Sequence, residues 1–375
     1  MNISNWNFLL LTPFNLDMNL PGEPLIQSYW KYLFAGLVVF LVTYVLVPVN
    51  IKIASKKGWL DYPNERSSHN KPIPISGGLA FGLVICLAQI VFGLLFWDKE
   101  SSVMIYGLAM INILILTVGL VDDLLKLKAR DKLFLQLLIS SLLYLVGFRI
   151  EILTNPFGPD LFLQYLSFPF TVFWFLAISN AINLIDGLDG LASGITLISG
   201  IVLCLVGLIS GNPLVFYLAL ILVAGNLAFL RYNFYPAKIF MGDSGSLFNG
   251  FNLAVLSVTG ISQFKGVTAM TIALPVVVML FPILDTIMAM IRRIRKKQSI
   301  FVADKEHIHH RLLKLGISQK GICYIAYFLT SLFGLLAIGF YFSTKQIFLI
   351  ALTILIVLCF IFAWLLLQSI FKDSK

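Results

Sequence analysis

The sequence has few charged residues and few cysteines. Only 12% of its 375 residues are charged and 59% are hydrophobic, whereas a soluble domain has about 25% charged residues. This composition excludes a soluble globular enzyme, a disordered chain and a repeat protein with polar caps. The four cysteines lie in apolar runs without close spacing, so neither a disulfide framework nor a cysteine metal site is indicated.

The hydrophobic residues occur in runs long enough to cross a membrane, which takes about 20 residues. They predict an all-α, polytopic integral membrane bundle. We expect about eleven transmembrane helices near residues 31–51, 77–97, 102–121, 133–149, 165–182, 190–210, 213–231, 246–262, 267–290, 322–342 and 346–370. Residues 1–30 are predicted to be an extracytoplasmic leader, 31–370 a single transmembrane domain and 371–375 a tail.

Lysine and arginine are distributed unequally between the predicted loops. Of 27 basic residues, 22 fall in the tail and in loops 52–76, 122–132, 183–189, 231–245 and 291–321. Because basic residues concentrate in cytoplasmic loops, we predict that these loops and the C-terminus are cytoplasmic and that the N-terminus is outside. The net charge of +9 is then a sign of topology rather than of nucleic-acid binding.

An adjacent pair of carboxylates, Asp122 and Asp123, follows the third predicted helix. Neighbouring carboxylates raise each other's pKa unless a metal ion or a nearby lysine compensates their charge. The pair therefore indicates either a cation site or a solvated acidic turn.

Asn180, Asn183 and Asp186 are spaced three residues apart, so they lie along one face of a helix. Gly187 and Gly190 allow the chain to turn there and to approach a ligand closely. An ordinary helix end is the alternative interpretation, but it does not explain the aligned polar groups.

A glycine-containing turn precedes the eighth predicted helix, at Gly242, Asp243 and Ser244. Such turns offer free backbone N–H groups to phosphate. Asp243 has the wrong charge to touch phosphate unless a metal bridges the two, and Phe240 is suited to stacking on a base. A simple helix N-cap is the alternative.

Three histidines, His307, His309 and His310, precede Arg311 in the longest predicted inside loop. A zinc site usually needs further ligands, so these groups better suit a diphosphate or a leaving phosphate. The loop from Asp61 to Gly78 supplies further anion donors at Arg66, His69 and Lys71. Asp285, inside a predicted span, is either functional or a partner of Arg292.

All of these clusters except Asp285 fall on the side predicted to be cytoplasmic. Carboxylates without cysteine ligands, together with phosphate-type donors, favour Mg²⁺ and phosphoryl transfer over zinc hydrolysis. A site at the membrane surface suits one water-soluble and one lipid substrate.

The motifs resemble those of the polyprenyl-phosphate N-acetylhexosamine-1-phosphate transferases, over roughly residues 45–315. The family includes phospho-N-acetylmuramoyl-pentapeptide transferase and the undecaprenyl-phosphate N-acetylglucosamine-1-phosphate transferases of O-antigen and teichoic acid synthesis. The matching segments are Asp122-Asp123-x-x-Lys126, Asn183-x-x-Asp186-Gly-x-Asp189-Gly, Phe240-Met-Gly-Asp243-x-Gly-Ser246 and His307-Ile-His309-His310. The interrupted histidine triplet and the eleventh span are more similar to the N-acetylglucosamine branch. Ser76 stands where a basic residue is expected before Gly77 and Gly78.

The resemblance implies a reaction and a set of roles. A lipid phosphate attacks the β-phosphorus of a UDP-N-acetylhexosamine and UMP leaves, with Mg²⁺, or Mn²⁺ in its place, near Asp243, Asp122 and Asp123. Implied catalytic residues are Asp122, Asp123, Lys126, Asp186, His307, His309 and His310, and implied substrate-binding residues are Lys71, Asn183, Asp189, Asn233, Phe240 and Arg311. The expected partners are undecaprenyl phosphate, the bacterial inner membrane and a second copy of the chain, without nucleic acid.

Two other classes of protein remain as alternatives. A transporter places ionisable groups near the middle of the membrane, whereas here they lie at one face. A non-catalytic scaffold that binds nucleotide is the third interpretation. Within the enzyme class, the muramoyl-pentapeptide transferase is the alternative.

Overall fold

A computed structural model of the chain describes residues 25–63, 71–97, 99–153, 161–259, 312–313 and 316–341. In these ranges nine long α-helices follow one another: α1 (Leu25–Lys57), α2 (Gly77–Phe96), α3 (Lys99–Leu125), α4 (Ala129–Val146), α5 (Ser167–Ile185), α6 (Leu191–Ile209), α7 (Pro213–Asn233), α8 (Gly242–Thr259) and α9 (Gln319–Tyr341). The prediction of a helical membrane protein is confirmed, since α1, α2, α3, α5, α6, α7 and α9 are long and apolar enough to span a membrane. The predicted spans 267–290 and 346–370 lie outside the described residues, so the total of eleven stays a prediction.

Two short antiparallel hairpins are exceptions to the all-α prediction. Strand β1 (Leu60–Asp61) pairs with β2 (Ile73–Pro74), and β3 (Ile152–Leu153) pairs with β4 (Leu161–Phe162). A single 3₁₀ turn, Gln164–Leu166, precedes α5. The first hairpin lies beside the entry to α8, because Pro74 O accepts a hydrogen bond from Phe240 N at 2.7 Å.

Helix α1 is longer than predicted at both ends. It begins at Leu25, inside the segment predicted to be a leader, and continues to Lys57, past the predicted end at residue 51. The last turns remain helical because one side stays apolar, with Ala54 fully buried, while Lys52 and Lys56 are exposed. The first lysines after an apolar run therefore do not mark the end of this helix.

Helix α8 lies at the centre of the bundle. It packs against α2, α3, α5, α6 and α7, and every residue from Ser244 to Thr259 is buried. Because α8 faces protein rather than lipid, it can carry the polar side chains of Asn249 and Asn252. Its N-terminus, with Asp243, is the point on which the polar side chains of the neighbouring helices converge.

Candidate active site

Asp122 and Asp123 lie in the last turn of α3 rather than in the following loop, and their side chains have different partners. The Oδ2 atom of Asp122 is 2.8 Å from Lys132 Nζ, and its Oδ1 atom accepts a hydrogen bond from Leu127 N at 2.8 Å. Both oxygens of Asp123 instead face the start of α8. The solvated acidic turn is excluded, since both residues are buried.

Lys132 is the centre of the cluster, although no sequence motif points to it. It lies in the first turn of α4, where its Nζ atom is 2.6 Å from Asp243 Oδ2 and 3.2 Å from Asn183 Oδ1. Burial acts to lower the pKa of Lys132, but the charges of Asp243 and Asp122 and their hydrogen bonds raise it above its usual value. The ammonium therefore stays protonated at neutral pH.

One feature of the sequence indicates a lysine such as Lys132, namely that a pair of adjacent carboxylates needs a neighbouring cation. Several lysines and an arginine follow that pair, and the family resemblance indicates Lys126 as the functional one. In the structure Lys126 is exposed and has a left-handed backbone conformation with φ of 53°. This turn reverses the chain between α3 and α4, so that the side chain of Lys132 contacts the Asp122 carboxylate, whereas Lys126 contacts only the Asp122 carbonyl through its backbone N–H.

Asp243 is held from a second side by Asn183, near the end of α5. Asn183 Nδ2 donates hydrogen bonds to Asp243 Oδ1 and to Ser246 Oγ, both at 2.8 Å. The Asp243 side chain is 33% exposed, against 10% for Asp122. Of the two carboxylates that contact Lys132, Asp243 is therefore the more accessible to a ligand.

The turn after α5 carries Asp186 and Asp189. Burial raises the pKa of Asp186 well above its usual value, and the negative charges of Asp243, Asp123 and Asp189 raise it further. Asp189 Oδ2 accepts a hydrogen bond from Ala237 N at 2.9 Å, which holds the loop that leads to Phe240. The turn therefore places two further aspartates beside Asp243, which an ordinary helix end would not do.

Asn233, which the resemblance implies to be a substrate-binding residue, makes hydrogen bonds within the protein. Its Oδ1 atom accepts a hydrogen bond from Ser193 Oγ at 2.9 Å, and its Nδ2 atom donates one to Ile239 O at 3.0 Å. Asn233 is only 3% exposed, and its side chain holds the loop between α7 and α8 through Ile239 O.

Phe240 is fixed at the edge of the site by its backbone. Its N–H donates to Pro74 O at 2.7 Å, and its carbonyl accepts from Gly77 N at 3.0 Å. The residue is partly exposed. Lys71, also predicted to bind substrate, is exposed in the segment that leads to β2.

His307, His309, His310 and Arg311 lie outside the described residues, and so do Arg66, His69 and Asp285. The helix that follows the histidine segment, α9, is tied to the acidic turn. Tyr327 OH donates a hydrogen bond to Gly190 O at 2.6 Å, and Cys323 Sγ contacts Asp189 O at 3.4 Å.

The ligand chemistry of the cluster fits magnesium. Mg²⁺ prefers oxygen ligands and is commonly held by one or two carboxylates together with phosphate and water. Asp122 Oδ2 and Asp243 Oδ2 already lie within 2.8 Å of one positive group, the Lys132 ammonium. Within the described ranges, no group of three His, Cys, Asp or Glu side chains that could hold a metal ion is present.

Several known proteins are similar to this chain over more than half of its length. The sequence profile of glycosyl transferase family 4 matches residues 104–261. A protein named probable undecaprenyl-phosphate N-acetylglucosaminyl 1-phosphate transferase, from Bacillus subtilis, is 36% identical over 340 residues, which are 90% of each chain. The decaprenyl-phosphate N-acetylglucosaminephosphotransferase of Mycobacterium tuberculosis is 35% identical over 78% of each chain. A phospho-N-acetylmuramoyl-pentapeptide-transferase of Streptococcus equi is 35% identical over 60% of this chain and 71% of its own.

Proposed function

The chain belongs to glycosyl transferase family 4, and we propose that it transfers N-acetylglucosamine-1-phosphate from UDP-N-acetylglucosamine to undecaprenyl phosphate. The oxygen of the lipid phosphate attacks the β-phosphorus of the donor. The bond from that phosphorus to the bridging oxygen breaks, UMP leaves with the electron pair, and the lipid diphosphate sugar forms. The observation that carries the proposal is the junction of Asp122, Lys132, Asn183 and Asp243 at one end of the bundle.

The cluster suits phosphoryl transfer, because this reaction depends more on the positioning of charged groups than on the movement of protons. A phosphate monoester has its second pKa near 6 and is mostly a dianion at neutral pH. Asp122 therefore acts by orienting Lys132 rather than as an obligatory base. Lys132 supplies a fixed positive charge that phosphate oxygens can share with the carboxylates.

Asp243 and Asp122 are the residues that we propose hold Mg²⁺. When bound, the ion neutralises charge on the diphosphate and stabilises the loose transition state of phosphoryl transfer. Asn183 orients the Asp243 carboxylate from its other side. Asp186 lies close enough to that site for its pKa to respond to the charge of Asp243.

The donor and acceptor would approach from different directions. We assign the nucleotide to the side of Phe240, with Asp189 and Lys71 as the other members of the proposed nucleotide-binding set. Lys126 and the histidines His307, His309 and His310, with Arg311, remain proposed contacts of the lipid phosphate and the departing UMP. The distribution of basic residues supports a cytoplasmic site in the bacterial inner membrane.

The alternative donor is a UDP-N-acetylmuramoyl pentapeptide. A relative with the corresponding name matches a smaller part of this chain than the N-acetylglucosaminyl relatives do. We therefore favour N-acetylglucosamine. The product then supplies cell-envelope glycan synthesis, the class that includes lipopolysaccharide O-antigen and teichoic acid.

The test is a competition assay with the full-length protein in lipid vesicles that contain undecaprenyl phosphate. UDP-N-acetylglucosamine, UDP-N-acetylgalactosamine and the muramoyl-pentapeptide donor are offered together and separately, and release of UMP is measured with Mg²⁺ or with chelator. We expect lipid-dependent release from UDP-N-acetylglucosamine that chelator abolishes. Release from the muramoyl donor alone would overturn the assignment, while substrate flux without UMP would indicate a transporter and binding without turnover a scaffold.

A further inference from the structure

The carboxylate of Asp123 is fully engaged by the first turn of α8. Its Oδ1 atom accepts a hydrogen bond from Asp243 N at 2.7 Å. Its Oδ2 atom accepts from Ser244 N at 3.1 Å and from Ser244 Oγ at 2.9 Å. The side chain is buried, with 6% of the residue exposed, so these three donors form its immediate surroundings.

The backbone N–H groups at the start of a helix have no partner within that helix. An N-cap side chain just before the helix normally accepts from them. In α8 the chain enters through Gly242, whose φ is 72° and which has no side chain to offer. Asp123, which lies on α3, supplies the missing acceptor. The N-terminal cap of α8 is therefore a side chain from a different helix.

Close backbone contacts fix α8 in the same place. A Cβ atom at Gly119, one turn before Asp123 on α3, would collide with the backbone of Ser244. A Cβ atom at Gly78 on α2 would collide with the backbone of Gly245, and one at Gly242 would collide with Ile75 O and the Asp123 carboxylate. The start of α8 is therefore held between α2 and α3, with little room to shift.

The neighbouring carboxylates of Asp122 and Asp123 thus contact different parts of the site. Asp122 contacts Lys132, whereas Asp123 contacts the peptide N–H of Asp243 itself. We propose that Asp123 is a positioning residue that caps α8 and thereby aims the Asp243 carboxylate at Lys132 and Asn183. In this role it touches neither the metal ion nor the substrate, in contrast to the metal and catalytic role expected from the sequence.

The catalytic part of this inference rests on the proposed function, so the first arm of its test needs no substrate. Thermal unfolding of the full-length protein in detergent is measured for Asp123→Ala, Ser244→Ala and the double variant. A cap predicts that each single change lowers the unfolding midpoint and that Ser244→Ala adds nothing once Asp123 is alanine. Fully additive shifts would overturn the proposal, whatever the assay of UMP release shows.

The second arm compares Asn with Ala at position 123. Asn caps helices about as well as Asp in general. At position 123 its oxygen can accept from Asp243 N and its amide can donate to Ser244 Oγ, while Ser244 N loses its acceptor. We expect Asp123→Asn to keep kcat within about tenfold of the wild type with unchanged KM values, whereas Asp123→Ala loses about 100-fold, the usual scale for a misplaced catalytic group. At Asp122, the matched control, Asn and Ala should be similarly impaired.

A carboxylate that bound the metal ion or the substrate would behave differently. Asp123→Asn would then be as inactive as Asp123→Ala although the protein remained stably folded, and that result would overturn the proposal. Absence of UMP release in the wild type, with the coupling between Asp123 and Ser244 intact, would refute the proposed function and leave the cap established.

Discussion

Helix α8 carries two kinds of polar contact, a charged cluster at its N-terminus and paired amides deeper in the bundle. At the N-terminus, Asp243 shares Lys132 with Asp122. Further along, Asn252 and Asn112 exchange two hydrogen bonds of 3.1 Å across to α3. Asn249 and Asn226 exchange two more, at 2.8 and 3.0 Å, across to α7.

The two kinds of contact differ in whether they leave polar groups available to bind a ligand. Each amide pair is neutral and reciprocal, so donor and acceptor satisfy each other and nothing remains for a ligand. The cluster instead has two carboxylates for one ammonium, and the Asp243 side chain is 33% exposed. Excess charge with access to solvent is typical of a binding site, whereas balanced amides are typical of helix association in a membrane.

The sharpest test of this comparison is Asp243→Asn. The change preserves shape but removes the charge that a cation needs, so turnover should fall at least about 100-fold, the scale seen when one transition-state-stabilising group is lost. UMP release measures the effect, and the unfolding midpoint should stay near that of the wild type. Asp131→Asn, on an exposed carboxylate of α4, is the matched control. Full Mg²⁺-dependent turnover in Asp243→Asn would contradict the metal assignment.

Lys132→Met should have the next largest effect. It removes charge-assisted hydrogen bonds to two carboxylates, which corresponds to about a 10- to 100-fold loss of turnover. Lys132→Arg keeps the charge and should recover part of the activity, and Lys128→Met, at an exposed lysine nearby, should be near normal. If the variants at 132 and 128 behaved alike, the cluster would have no special need for Lys132.

Substitutions in the Asn112–Asn252 amide pair should lower the stability of the fold and leave the turnover nearly unchanged. Asn112→Leu or Asn252→Leu leaves a buried amide without its partner, and we expect each to destabilise the fold by about 1 kcal/mol. The double variant should be less destabilised than the sum, because fewer unsatisfied groups remain. Thermal unfolding and UMP release are measured together, with Leu114→Met on the exposed side of α3 as control. A large loss of activity at unchanged stability would show that the amides take part in the reaction.

The sequence located most of the fold because hydrophobic runs are a local property. The predicted spans at 77–97 and 213–231 agree closely with α2 (Gly77–Phe96) and α7 (Pro213–Asn233). Helix ends were less predictable, since α1 continues through residues that the charge pattern assigned to a loop. The hairpins, each of two-residue strands, are too short to leave a pattern in the sequence.

The site was predictable only in part, because its contacts are not local. Motif spacing identified Asp122, Asn183 and Asp243, and the structure brings these together around Lys132. Lys132 depends on a chain reversal at Lys126 that no spacing rule indicates. The internal use of Asn233 depends on how the following loop folds back onto it, through the carbonyl of Ile239.

The entry to α8 is also tied to a distant part of the chain by its backbone. Phe240 bonds to Pro74 and Gly77, and Gly78 N donates to Met241 O at 2.9 Å, while Asn50 Nδ2 donates to Ser76 O at 2.7 Å. Segments from α1, the first hairpin and the α8 entry are therefore joined by one continuous set of hydrogen bonds. The position of the Phe240 backbone thus depends on groups from three separate parts of the sequence.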